Sequence, residues 1–217
     1  MSRGQFITIE GSEGVGKSTN ITFIREYLES KGVDLLVTRE PGGTPLAENI
    51  RELLLAKREE NVDDLTELLL MFAARAQHIH QLIEPALASG TWVLCDRFTD
   101  STFAYQGGGR GLDDTVIHKL ELLVQQDFQP DVTFYLDIDV KIGLARAAER
   151  AELDRFESEK IEFFERVRAA YLQRVNVHPE RFCVIDASGS LSDVQAAILK
   201  KLTQVLKKSD LSALSIN

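Results

Sequence analysis

The segment Gly11-Ser12-Glu13-Gly14-Val15-Gly16-Lys17-Ser18 constrains this chain more than any other stretch. It matches G-x-x-x-x-G-K-[S/T], a loop whose glycines let backbone N–H groups converge on a phosphate. A helix that starts there adds its positive N-terminus. Lys17 has the reach for β- and γ-phosphates, and the Ser18 hydroxyl suits Mg²⁺. The context agrees, because the apolar run Phe6–Ile9 before the loop reads as a strand and Lys17–Lys31 after it as a helix. Glu13 is the odd member, since a carboxylate in an anion cradle needs a metal, a substrate hydroxyl or open solvent to be tolerated.

Beyond the loop, strand-length apolar runs alternate with helical patterns. Val33–Thr38, Trp92–Cys95, Val132–Ile138 and Phe182–Ile185 read as strands. Leu46–Ala56, Asp63–Ala88, Leu112–Gln126, the charged stretch to Arg174 and Ser192–Leu206 read as helices. Gly32 is positioned to end the first helix, Pro45 to open the second, and Pro85 to kink or break the long third. Asp113 or Asp114 caps the helix after Leu112. Alternation of this kind implies α/β architecture, with a parallel sheet flanked by helices and ligands at the carboxyl ends of the strands. The unusual residues follow strands: Gly11–Ser18, Arg39–Thr44 and Asp96–Arg97.

At 217 residues, with no repeat or linker, a single domain is expected over 1–217, its last ten residues a frayed tail. The net charge of −9 argues against a nucleic-acid partner. No run of 18 apolar residues and no N-terminal apolar core occurs, so neither a membrane span nor a signal peptide is expected. Cys95 and Cys183 read as buried reduced thiols, which suits a cytoplasmic protein. His78 and His80 are two apart on a helix and face differently, so they form no metal site.

Three kinds of phosphate-loop protein compete. A GTPase would need N-K-x-D, which is absent, and Asp186–Gly189 reads as a strand-end turn. A mechanical ATPase module would need more chain. A small nucleotide kinase fits the size, and it needs arginines near the loop and a lid that excludes water. Asp96 and Arg97 end a buried strand, one suited to Mg²⁺ and the other to phosphate; a turn acid and a local ion pair between them are the bland alternatives. Phe72 and Arg75 share a helix face and could stack on and hydrogen-bond a planar base, or serve as core and buried ion pair. Tyr105 and Gln106 precede Gly107–Gly109, which reads as a flexible run on the nucleoside side or as plain surface loop. Arg146, Arg150 and Arg155 lie in Leu144–Glu157, a segment without an apolar stripe that suits a lid or a solvated helix.

Glu10–Ser18, Thr38-Arg39-Glu40-Pro41-Gly42-Gly43-Thr44, Phe72-Ala73-Ala74-Arg75, Asp96-Arg97-Phe98, Ala104–Gly111 and Leu153-Asp154-Arg155-Phe156 together resemble bacterial thymidylate kinase over essentially the whole chain. The resemblance implies a phosphate-loop nucleoside-monophosphate-kinase fold with a five-stranded parallel sheet and a short lid, a homodimer, and transfer of the ATP γ-phosphoryl group to dTMP with Mg²⁺. By residue, it implies that Gly11–Ser18 cradle ATP and that Lys17 and Ser18 hold phosphates and metal. Glu13 would sit near the sugar 3′-hydroxyl and the substrate phosphate. Phe72 would stack on thymine and Arg75 hydrogen-bond it. Arg97 would hold the dTMP phosphate beside Asp96 at the metal. Ser101 and Gln106 would lie on the nucleoside side, and Tyr105 would crowd the 2′ position. The loop lacks a basic residue at Ser12, Glu13 and Val15, so the catalytic arginine is expected in the lid. Ala148 stands where some such lids carry arginine, which leaves Arg150 or Arg146. A dUMP or deoxynucleoside kinase and a protein that only binds ATP are the alternatives.

Overall fold

Strand β1 (Phe6–Glu10) is buried at every position, as a central strand covered on both faces must be. The structure is a computed structural model, described for residues 3–148, 156 and 159–214, with side chains as far as Lys207. β2 (Leu35–Arg39), β3 (Trp92–Asp96), β4 (Val132–Asp137) and β5 (Phe182–Asp186) complete the sheet, in the order β2-β3-β1-β4-β5. Every pairing is parallel, with Ile9 beside Asp96 on one flank of β1 and Glu10 beside Tyr135 on the other.

Side-chain alternation divides the core. Ile7, Ile9, Leu94, Phe134 and Leu136 face α1 (Lys17–Ser30) and α9 (Leu191–Leu214), where Ile24, Leu28, Val194, Ile198 and Leu202 meet them. Phe6, Val93, Cys95 and Tyr135 face the opposite way. There they meet α3 (Asp64–His78) and its extension, the turn-rich segment after β3, and α8 (Ile161–Val177). α2 (Pro45–Leu55) and α6 (Asp114–Gln125) pack outside these. Among the described residues, no helix is long and apolar enough to cross a membrane.

The five-stranded parallel sheet agrees with the sequence, and the departures have local causes. Gly32, at φ 76°, closes α1, and Val33 donates back to the Leu28 carbonyl, so β2 starts only at Leu35. The long helix changes before Pro85: Ile79–Ile83 is a π turn, and α4 (Glu84–Ala88) carries the proline in its first turn. Pro85 has no N–H for the carbonyl of Gln81, and the ladder widens one turn upstream of it. Asp113, not Asp114, caps α6 by accepting from Thr115 N.

The glycine run is the main correction. After α5 (Thr99–Thr102), Phe103–Gly109 is a buried π-helical segment and not a flexible loop. A side chain at Gly108 would meet Ala170 and the Arg166 carbonyl at 2.6–2.8 Å, so glycine here permits close packing on α8. α7 (Val140–Ala148) takes in the start of Leu144–Glu157, the segment expected to form the lid; of the rest of that segment only Phe156 is among the described residues. α9 continues to Leu214, past the expected end at Leu206 and into what had read as tail. Cys95 is buried, whereas Cys183 is only partly so; both are free thiols, and burial raises the pKa of each.

Candidate active site

The carboxyl ends of β1, β2 and β3 converge on a cavity of ≈ 250 Å³, with the phosphate loop on one side and Arg75 on the other. The loop turns through positive φ at Gly11, Gly14 and Gly16 and delivers the chain into α1. Gly14 lies so close to α7 that an added Cβ would stand 1.8 Å from the Gly143 carbonyl oxygen, so the loop and α7 meet backbone to backbone. Lys17 Nζ donates to the Gly11 and Ser12 carbonyls at 3.1 Å each. Burial, followed by the nearby Arg97 charge, lowers the Lys17 pKa. Glu13, Gly14, Val15, Gly16, Lys17 and Ser18 line the cavity; Gly11 and Ser12 contribute the carbonyls beneath it.

Arg97 follows β3 at φ 65°, a backbone conformation that costs a residue with a side chain. Several contacts hold it there. Its Nη2 donates to Glu13 Oε1 at 2.6 Å, its Nη1 to the Gly11 carbonyl at 3.0 Å, and its guanidinium lies 4.7 Å from the Tyr105 ring centroid. The Tyr105 hydroxyl donates to the same Glu13 oxygen at 2.9 Å. Burial works against the Arg97 charge, but Tyr105, Glu13, Tyr171 and Asp96 more than offset it and raise its pKa. The partner of Arg97 is thus Glu13 and not Asp96. Glu13 ties the loop to the far half of the cavity.

Asp96 Oδ1 is buried, with no hydrogen-bond partner among the described residues, in a cavity that also takes in Ser18 and Lys17. An orphaned carboxylate oxygen in a cavity that a serine also lines suits a hard cation held by oxygen ligands, so these residues fit Mg²⁺. Under this floor lies Glu10, whose Oε1 accepts from Phe98 N and whose Oε2 accepts from the Ser101 and Tyr171 hydroxyls. Burial and then the Asp100 charge push the Glu10 pKa up to about 7.

Arg75, 3% exposed, donates from Nε to Glu40 Oε2 at 2.7 Å and from Nη2 to Thr102 Oγ1 at 2.9 Å. Its guanidinium is 4.9 Å from the Phe72 ring centroid. Phe72 itself packs with Leu68, Phe103 and Ile117 and is not among the lining residues. Gln106 lines the cavity and donates to Glu67 Oε1 at 2.8 Å.

The family model described as thymidylate kinase matches residues 9–198. The chain belongs to the thymidylate kinase family. It is 62% identical to a protein named thymidylate kinase from Teredinibacter turnerae, over 94% of this chain and 99% of that one. It is 57% identical to one from Hahella chejuensis, over 95% and 99% of the two chains. The crystal structure of thymidylate kinase from Ehrlichia chaffeensis superposes with a TM-score of 0.76 at 36% identity, covering 94% of this chain and 99% of that one.

Of the residues singled out for thymidylate kinase chemistry, Glu13, Lys17, Ser18, Arg75, Asp96, Arg97, Ser101, Tyr105 and Gln106 all line the one cavity. Arg150 and Arg155 lie outside the described residues. Arg146 does not line the cavity; its Nη1 donates to the Ala187 carbonyl at 3.0 Å, at the end of β5. Phe156 does line it, edge-on to Tyr105 at 6.2 Å. Sequence reasoning passed over Arg51, which lines the cavity and donates to the Pro41 carbonyl, and also Thr102 and Tyr171. Glu40 and Glu10 carried a signal, each a carboxylate at or just beyond the end of a strand. His78 did too: it follows Arg75 by three residues and so shares its face. It is fully buried, whereas His80 is 69% exposed and bonds Glu84.

Proposed function

We propose that this chain transfers the γ-phosphoryl group of ATP to dTMP, giving dTDP and ADP, by direct in-line attack of a dTMP phosphate oxygen. The observation that carries this reading is the Glu13–Arg97–Tyr105 cluster, which links the triphosphate loop to a second cationic position across one cavity. A protein that only bound ATP would have no use for that second position. Membership of the thymidylate kinase family supplies the substrate pair.

Lys17 and the loop N–H groups hold the ATP phosphates, and Arg97 holds the dTMP phosphate. Ser18 and Asp96 would hold Mg²⁺, which when bound neutralises phosphate charge and orients the β- and γ-oxygens. Glu13 sets the distance between the loop and Arg97 and lies near the sugar 3′-hydroxyl. Tyr105, fixed to Glu13, fills the space a 2′-hydroxyl would need. Arg75 donates to a thymine carbonyl, and Ser101 and Gln106 bound the nucleoside side; Phe72 packs against the Arg75 guanidinium, so its stacking on thymine requires it to turn into the cavity from its place among Leu68, Phe103 and Ile117. Arg150 is the lid arginine that meets the transferring group, and the attachment of Arg146 to Ala187 supports that choice.

We propose further that the protein is a cytoplasmic homodimer. Leu53 on α2 and Leu65 and Leu69 on α3 are about half exposed, and the last two share a face, which supports a dimer surface there. Sedimentation velocity tests this: a single species of monomer mass would reject it. The activity is tested by ADP release from ATP and Mg²⁺ with dTMP, dUMP, dCMP, dGMP and thymidine. A strong dTMP signal is expected, and none above the ATP-only blank would reject the reading. Arg150→Ala should lower kcat far more than it raises the dTMP KM; an unchanged kcat would reject Arg150.

A further inference from the structure

The segment Thr38–Thr44 has so far had no task, yet its side chains end in the site. Glu40 is 5% exposed, and both its oxygens are engaged. Oε2 accepts from Arg75 Nε, and Oε1 accepts from His78 Nδ1 at 3.0 Å. His78 Nε2 meets the Thr38 hydroxyl at 2.8 Å. The chain Thr38–His78–Glu40–Arg75–Thr102 runs from β2 through α3 to α5, and every member except Thr38 is nearly inaccessible. A neutral imidazole with its proton on Nδ1 satisfies every contact: Nδ1–H donates to the carboxylate and Nε2 accepts from the threonine. Gly43, at φ 87°, gives the imidazole its space, since a Cβ there would stand 2.4 Å from His78 Nε2 and 2.6 Å from Thr38 Oγ1.

The consequence falls on Arg75. A guanidinium is a planar fork that swings as a unit about the side-chain bonds leading to it unless its nitrogens are held. Here Nε and Nη2 are held from opposite sides, and Nη1 is the nitrogen without a partner among the described residues. A buried donor left over in a cavity wall is a position for an acceptor. A donor that cannot turn away or accept favours a pyrimidine with a 4-oxo group and disfavours one with a 4-amino group, whose own hydrogens would face it.

We infer that His78, with Thr38 behind it, is a positioning residue for nucleobase selection. It fixes Glu40, Glu40 fixes Arg75, and Arg75 then offers one aimed N–H group to a base carbonyl. The inference rests on the proposed reading of Arg75 as the residue that touches the base.

The test measures kcat and KM with dTMP and with dCMP for the full-length protein, for H78L, H78N and T38V, and for R75A. Leucine removes both imidazole contacts at similar volume. Asparagine keeps an N–H near the Nδ1 position. H78L is expected to raise the dTMP KM by about 10-fold, to leave kcat at saturating dTMP within about 2-fold, and to cut the dTMP-to-dCMP preference by about 10-fold. H78N is expected to recover most of that preference, and T38V to shift it in the same direction by a smaller factor. The ATP KM, which this chain of contacts does not touch, reports that each variant is folded. A folded H78L with unchanged dTMP KM and unchanged preference overturns the inference; if H78L does not fold, the same result in T38V overturns it. If R75A also leaves the preference unchanged, the base reading of Arg75 fails as well. If R75A abolishes the preference while H78L and T38V leave it intact, only the role of His78 fails.

Discussion

Two of the arginines that line the cavity, Arg75 and Arg97, are each held by a glutamate, and they are built differently. The side chains of Arg75 and Glu40 are 3% and 4% exposed, inside a chain of further hydrogen bonds, with Arg75 within α3. Arg97 and Glu13 are 18% and 16% exposed, and Arg97 sits at positive φ. A donor that reads a neutral carbonyl gains from rigidity, because a small misalignment loses the bond. An arginine that follows a phosphate through transfer must keep contact as charge moves, and the Arg97–Glu13 pair is the more solvent-open of the two. On the proposed reading, the more deeply fixed arginine belongs to selection and the more open one to chemistry.

Removing the chemical side should have the largest effect. Arg97→Ala is expected to lower kcat/KM for dTMP by about 10²–10³-fold in steady-state assays. A loss below tenfold would mean that Arg97 only closes the loop structurally. Stability should respond in the opposite order. Glu40→Ala leaves a buried guanidinium uncompensated and should cost about 3–5 kcal/mol in urea unfolding, whereas Glu13→Ala, at a partly solvated pair, should cost about 1 kcal/mol. Equal losses would erase the distinction between the two sides.

Glu10, beneath Arg97, adds a pH signature. Its folded pKa of about 7 lies above the ordinary glutamate value of 4.5. The folded state thus holds the proton that the unfolded state releases first. The contribution of Glu10 to stability is full below pH 4.5 and is lost as pH rises through about 7, with a slope of at most about 1.4 kcal/mol per pH unit. Urea midpoints of the native protein and Glu10→Gln between pH 5 and 8 check this; the variant should lose that component. The smallest effect is expected from Tyr105→Phe, which deletes one hydrogen bond to Glu13 and should cost about 2–10-fold in kcat.

Much of this arrangement was legible in the chain. The phosphate loop and the buried strands announce themselves through glycine spacing and apolar runs, and alternation of strand and helix leads to a parallel sheet. The strand order does not follow from any one segment, because it depends on which crossovers pack together. Gly107–Gly109 misled for a related reason: glycine permits flexibility and close packing alike, and only α8 pressed against it decides between them. A local ion pair between Arg97 and Asp96 is the bland alternative to ligand-directed roles, and the backbone turn at Arg97 sends its side chain to Glu13 instead. Glu40 and His78 each carried a positional signal, but neither alone points to the other. Their meaning lies in a contact between residues 38 positions apart, set by how α3 docks on β2.

The division of labour is tested most directly by the dTMP-to-dCMP preference in kcat/KM for the native protein, Arg75→Ala and Arg97→Ala. Arg97→Ala is expected to slow both substrates by similar factors and leave the preference intact, while Arg75→Ala reduces it by about 10–100-fold. A preference that falls with Arg97→Ala and survives Arg75→Ala would contradict the account.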